Sequence, residues 1–179
     1  LGCIIAGLEA AADGGVLDSE SAAAARAAAG GARALIAERG VHSGHLTKWL
    51  GSTDVDASLA AVLAPLGVIE ATSPLGLASS RALESALSVE GGVHRYLRDT
   101  FYGGGQWPLL TCFLGLAHHA AGDRASAVRL LHWAAGTVTA EGLMPEQVDE
   151  HLLAPERRQE WLDRWGPVAT PLLWSHAML

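Results

Sequence analysis

Alternation of apolar and polar residues, the pattern that seats a half-buried strand, is almost absent from this chain, and its absence narrows the fold to helices. Apolar residues recur instead at helical spacing, and glycines mark the breaks between the segments. The nearest approach to a strand, 142–148, is short and interrupted by Pro145. The expected class is all-α.

The segments can be bounded one at a time. Asp18 or Ser19 is placed to cap a long Ala-rich helix running to about Arg39, where Gly40 offers a left-handed stop. Asp56 can cap 57–63, which Pro65 ends, and Ser79 or Ser80 is expected to open a segment that puts Leu83 and Leu87 on one face. Pro108 suits the first turn of a helix reaching Ala121 and closed by Gly122, after which Asp123 caps a helix from Arg124 to about Ala135. At the start, 1–12 is helical in pattern with no capping residue before it, and 171–179 stops in a helical pattern with no Gly or Asn to close it. Both ends read as cut within helices. Roughly six or seven helices, packed as in a bundle or a double ring, are expected in one domain over 1–179, truncated at both ends.

With 50% hydrophobic and 17% charged residues among 179, the chain has the material for a core. Its formal net charge of -7 offers no basic footprint for phosphates, so neither nucleic acid nor an anionic membrane is an expected partner. The most apolar stretch, 107–122, is interrupted by His118 and His119 and falls short of the roughly 18 to 20 residues of a spanning helix. No basic region precedes the apolar opening, so no signal peptide is read and the expected compartment is the cytoplasm. Cys3 and Cys112 lie in apolar helical segments, where a buried free thiol is the expected state.

Tryptophan is the unusual part of the composition: six Trp stand against two Phe and two Tyr. A Trp face suits a sugar ring, but it also fills cores, and for any single Trp the core reading is the default. Trp107 is the exception, because it follows the loop Tyr102-Gly103-Gly104-Gly105-Gln106, where glycines let backbone approach a ligand. Just before that loop, Arg95 and Asp99 form either an ordinary solvated ion pair or a ligand-binding group. Glu146 sits between Pro145 and Gln147 amid apolar residues, the setting of either a surface accident or a carboxylate tuned for proton transfer. Other candidates are weaker. His42 and His45 have no third ligand spaced nearby, so no metal is expected. His118 and His119, adjacent on a helix, point apart, and Ser175 and His176 are neighbours in the wrong geometry for a nucleophile and its base.

Five segments in order then carry a resemblance: 54–59 (Asp-Val-Asp-Ala-Ser-Leu), 91–96 (Gly-Gly-Val-His-Arg-Tyr), 99–110 (from Asp99 through Gly103-Gly104-Gly105-Gln106-Trp107 to Leu110), 142–147 (Gly-Leu-Met-Pro-Glu-Gln) and 171–177 (Pro-Leu-Leu-Trp-Ser-His-Ala). Together they resemble glycoside hydrolase family 15, the family of bacterial glucoamylases, glucodextranases and isomaltose glucohydrolases, in the C-terminal portion of the catalytic domain. The resemblance implies about half of an (α/α)6 barrel whose loops hold a glucose-sized pocket. It implies an inverting, exo-acting hydrolase that releases glucose from α-1,4 or α-1,6 glucosides with no cofactor. By the same resemblance Glu146 is the general base, Arg95 binds sugar hydroxyls, and Trp107 and Trp174 line the pocket.

The sequence also departs from the family pattern. The family's general acid belongs to a Trp-Glu segment just ahead of the helix that 1–12 resembles, so it is expected a few residues upstream of Leu1. Phe101 and Leu173 replace a Tyr and a Thr common in relatives, removing two hydroxyls. A rival reading is a non-catalytic helical module that binds carbohydrate or a protein partner.

Overall fold

The computed structural model describes all 179 residues. Helix α1 (Gly2–Asp13) packs antiparallel against α2 (Ser19–Arg39), an orientation fixed by the ion pairs Glu9–Arg33 and Asp13–Arg26, each 2.8 Å. The contact is built largely from Ala12, Ala22, Ala25 and Ala29, side chains small enough to let two helices lie close. Asp18 caps α2 by accepting from the Ser21 N–H at 2.7 Å.

A two-residue hairpin follows, β1 (Val41–His42) against β2 (His45–Leu46). Its turn, Ser43-Gly44, has φ of 49° and 83°, the double left-handed geometry that matches strand twist. A 3-10 turn (Ala57–Leu59) capped by Asp56 leads into the short α3 (Ala60–Leu63), and Ser73 caps α4 (Pro74–Leu87) by accepting from Gly76 N–H at 3.0 Å. A second hairpin, β3 (Ser88–Val89) with β4 (Gly92–Val93), turns through Glu90-Gly91 in the same left-handed way.

Helix α5 (Pro108–Ala120) is the centre of the molecule. Leu109, Leu110, Cys112, Phe113, Leu114 and Ala117 are all buried, so nearly its whole circumference faces protein, and it packs against α3, α4, α6 (Arg124–Gly136) and α8 (Leu173–Met178). Ile5, Leu63, Leu83, Leu87 and Leu130 converge on it in one core. Each such Leu or Ile contributes roughly 1.5–3 kcal/mol by leaving water. A 3-10 turn (Pro155–Arg157) and α7 (Arg158–Trp165) lie against the loop 101–103. No helix is long and apolar enough to cross a membrane.

The all-α class holds, with eight α-helices, two of them only four and six residues long, and two small hairpins. Several local expectations are corrected. Gly40 ends α2 with φ -101°, not left-handed; glycine is needed there because a Cβ would crowd the Ile36 backbone. Ser79 and Ser80 do not open α4 but are buried within it, Ser79 accepting from Leu46 N–H at 2.9 Å and donating to Leu75 O at 2.7 Å. Cys3 is exposed, whereas Cys112 is buried and its thiol is pushed up to about 11 by desolvation.

Candidate active site

The segment that carries Glu146 is pinned on both flanks. On one side, Gln106 and Val148 exchange backbone hydrogen bonds of 3.1 and 2.9 Å. Gln147, buried, adds a second strap: its Oε1 accepts from Gly105 N–H at 2.8 Å and its Nε2 donates to Phe101 O at 3.2 Å. On the other side, Glu146 N–H donates to Ala169 O at 2.9 Å and Leu172 N–H to Met144 O at 2.8 Å. Ser175 Oγ donates to Pro145 O at 3.3 Å, and His176 Nε2 accepts from Met144 N–H at 2.9 Å. Ser175 and His176, read from sequence as unfit for nucleophilic work, therefore serve as clamps on the backbone beside Glu146.

The glycine run has a structural reason different from the one expected of it. Gly104 has φ +71°, and a Cβ there would overlap the Asp99 carbonyl; a Cβ at Gly105 would overlap the Val148 carbonyl. These glycines admit backbone to backbone, which is how the loop and the Glu146 segment come together.

Arg95 and Asp99 form a two-pronged pair, Nε to Oδ2 at 2.8 Å and NH2 to Oδ1 at 2.7 Å. It is not a solvated surface bridge: Asp99 is 1% exposed and accepts a further hydrogen bond from Phe101 N–H at 3.0 Å. Aromatic rings surround the guanidinium, with Trp107 at 5.0 Å, Tyr96 at 5.1 Å and Phe101 at 5.3 Å from its carbon. Beside it, His94 is buried and bonded through Nδ1 to Gly104 O at 3.0 Å, and burial holds its pKa below the usual value.

Glu146 is half-buried at the wall of an open hollow of about 460 Å³ whose lining includes Phe101, Tyr102, Trp161 and Trp165. Loss of water raises its pKa above the ordinary glutamate value; the Arg95 charge opposes that shift and the Asp99 charge adds to it. The structure thus brings Glu146, Arg95 and Trp107 into one neighbourhood, with Trp107 8% exposed beneath Arg95 as part of the core. Trp174 stands apart on α8, 59% exposed and edge-on to Phe113 with ring centres 6.1 Å apart. Trp161 and Trp165 were not singled out in the sequence; they stand four apart on α7, and Trp161 packs against Phe101 at 4.9 Å.

With this geometry in view, known proteins supply a direct comparison. No family model matches the chain. An isomaltose glucohydrolase of Kribbella flavida is 51% identical over 146 residues, 82% of this chain and 38% of that protein. A solved glycosidase, also known as a variant in complex with glucose, is 47% identical over 99% of this chain and 48% of its own, with a TM-score of 0.96. The near relatives of this chain are glycosidases. A bacterial glucoamylase solved with acarbose shares the fold at a TM-score of 0.76, 24% identity and 31% coverage of that chain. The helices described above thus resemble part of that enzyme's helical barrel. The chain spans less than half the length of the relatives it matches.

Proposed function

We propose that this chain is part of an inverting, exo-acting glycoside hydrolase that releases glucose from α-linked glucosides, and that Glu146 is its general base. The observation that carries the reading is the placement of Glu146: half-buried among aromatic rings, with its backbone held from both flanks and the Arg95 charge near enough to oppose the rise in its pKa. A general base needs a fixed position and an environment that raises its affinity for a proton without keeping it protonated, and burial opposed by Arg95 supplies both. Arg95, its orientation locked by Asp99, presents its remaining N–H groups to sugar hydroxyls. Trp107, buried beneath Arg95, is assigned to backing the guanidinium, and the exposed Trp174 to a pocket wall completed by residues outside 1–179.

In this mechanism Glu146 takes a proton from water as that water attacks the anomeric carbon, while a carboxylic acid on the opposite face, roughly 6.5–9.5 Å away, protonates the leaving oxygen. The acid is assigned to the part of the protein outside 1–179. Asp99 is consumed by Arg95 and Phe101, and Glu146 is the one acidic side chain lining its hollow. Residues 1–179 are accordingly placed as the C-terminal portion of a single (α/α)6 catalytic domain, needing no cofactor. The name of the Kribbella relative makes isomaltose the first substrate to try. Early NMR of the whole protein on isomaltose is expected to show β-glucose first; α-glucose first would exclude inversion.

A further inference from the structure

Met144, two residues ahead of Glu146, is held through both of its backbone groups by one short stretch of chain. Its carbonyl accepts from Leu172 N–H at 2.8 Å, and its N–H, which has no backbone partner, donates to His176 Nε2 at 2.9 Å. Met144 is buried, so without that acceptor the N–H would be stranded. Between Met144 and Glu146 stands Pro145, whose ring fixes φ and which has no N–H of its own. Its carbonyl accepts from Ser175 Oγ at 3.3 Å. The link from the Met144 amide to the Glu146 backbone is therefore short and stiff, and the imidazole anchors its far end. An imidazole nitrogen that accepts leaves the ring's proton on the other nitrogen, so the clamp requires neutral His176 protonated on Nδ1.

We infer that His176 is a positioning residue for Glu146: by fixing the Met144 amide it fixes, through Pro145, the backbone from which the carboxylate projects. The inference rests on the reading of Glu146 as base. When the acceptor is removed, the bonds from Leu172 to Met144, from Ser175 to Pro145 and from Glu146 to Ala169 remain, so the segment is retained but loosened at Met144. Displacing a catalytic group by about 1 Å can cost on the order of 10²-fold in rate. Arg95, assigned to the sugar hydroxyls, is locked by Asp99 and has no hydrogen bond to His176. The signature of the clamp is accordingly a fall in kcat with KM held.

The test uses the whole protein with isomaltose. His176→Phe keeps a ring and removes the acceptor, and is expected to lower kcat about tenfold or more while KM changes by less than about twofold. His176→Gln, whose amide oxygen can reach the place of Nε2, should restore most of the loss. An unimpaired His176→Phe, a loss carried by KM, or a His176→Gln as slow as His176→Phe overturns the assignment. Nitrogen NMR of the wild-type protein reads the contact without depending on the fold of a variant: the His176 proton is expected on Nδ1, and a ring protonated on Nε2 overturns the assignment as well. Failure of the base is a separate result. A Glu146→Gln variant that keeps its rate removes the base, whereas an inactive Glu146→Gln beside an unimpaired His176→Phe removes only the role of His176.

Discussion

Gln147 joins the two halves of the candidate site, its side chain accepting from Gly105 N–H at 2.8 Å and donating to Phe101 O at 3.2 Å. Together with the Gln106–Val148 backbone pair, this side chain ties the segment carrying Glu146 to the loop that carries Arg95, Asp99 and Trp107. Gln147→Leu keeps the bulk but strands a buried N–H and a carbonyl, and is expected to cost about 1–3 kcal/mol. The midpoint of denaturant unfolding of the whole protein reads that loss, and an unchanged midpoint would show that the strap is dispensable.

The Arg95–Asp99 pair makes an asymmetric prediction. Arg95→Met leaves a carboxylate that is 1% exposed without its cation, and is expected to cost roughly 3 kcal/mol or more. Asp99→Asn keeps the hydrogen-bonding shape and leaves Arg95 partly solvated, so it should cost less. Paired thermal melts check the order.

Glycine positions separate by what surrounds them. Gly105→Ala drives a Cβ into the Val148 carbonyl and is expected to destabilise by about 3 kcal/mol or more. Gly30 and Gly31 lie inside α2 with open space where a Cβ would stand, so alanine there should stabilise by about 0.5–1 kcal/mol each. Denaturant midpoints should move in opposite directions for the two sites.

Much of this arrangement is legible in the sequence where a local rule decides. Asp18, Asp56 and Asp123 cap the helices they were expected to cap, because a carboxylate ahead of an apolar period leaves few alternatives. The start of α4 was missed although Ser73-Pro74 carries the cap and the first-turn proline; Ser79 and Ser80 drew the boundary because their burial and hydrogen bonds depend on tertiary partners. Helix α7 was missed because its residues are mostly polar, with no buried side chain to set a period. At the site, Trp107 lies 5.0 Å from the Arg95 guanidinium, and the reason for the glycines was legible only once Asp99 and Val148 came into contact with them.

The raised pKa of Glu146 has two consequences of fixed sign. The base must be ionised, so kcat/KM is expected to fall as pH is lowered through a value above the ordinary 4.5, and Arg95→Met, which removes the opposing charge, should move that limb to higher pH. For stability the folded state favours the protonated form. The contribution of Glu146 is therefore fully present below its unfolded pKa and lost as pH rises through the raised folded value. Glu146→Gln should then raise Tm near neutral pH, with the difference vanishing toward about pH 4. Thermal melts across that range measure it.

That same substitution is the most direct test of the central claim when turnover is measured. In the whole protein, Glu146→Gln should lower kcat on isomaltose by at least about 10³-fold while KM changes little, because the amide keeps the shape and cannot accept the proton of water. A variant turning over at close to the wild-type rate would contradict the assignment of Glu146 as the base.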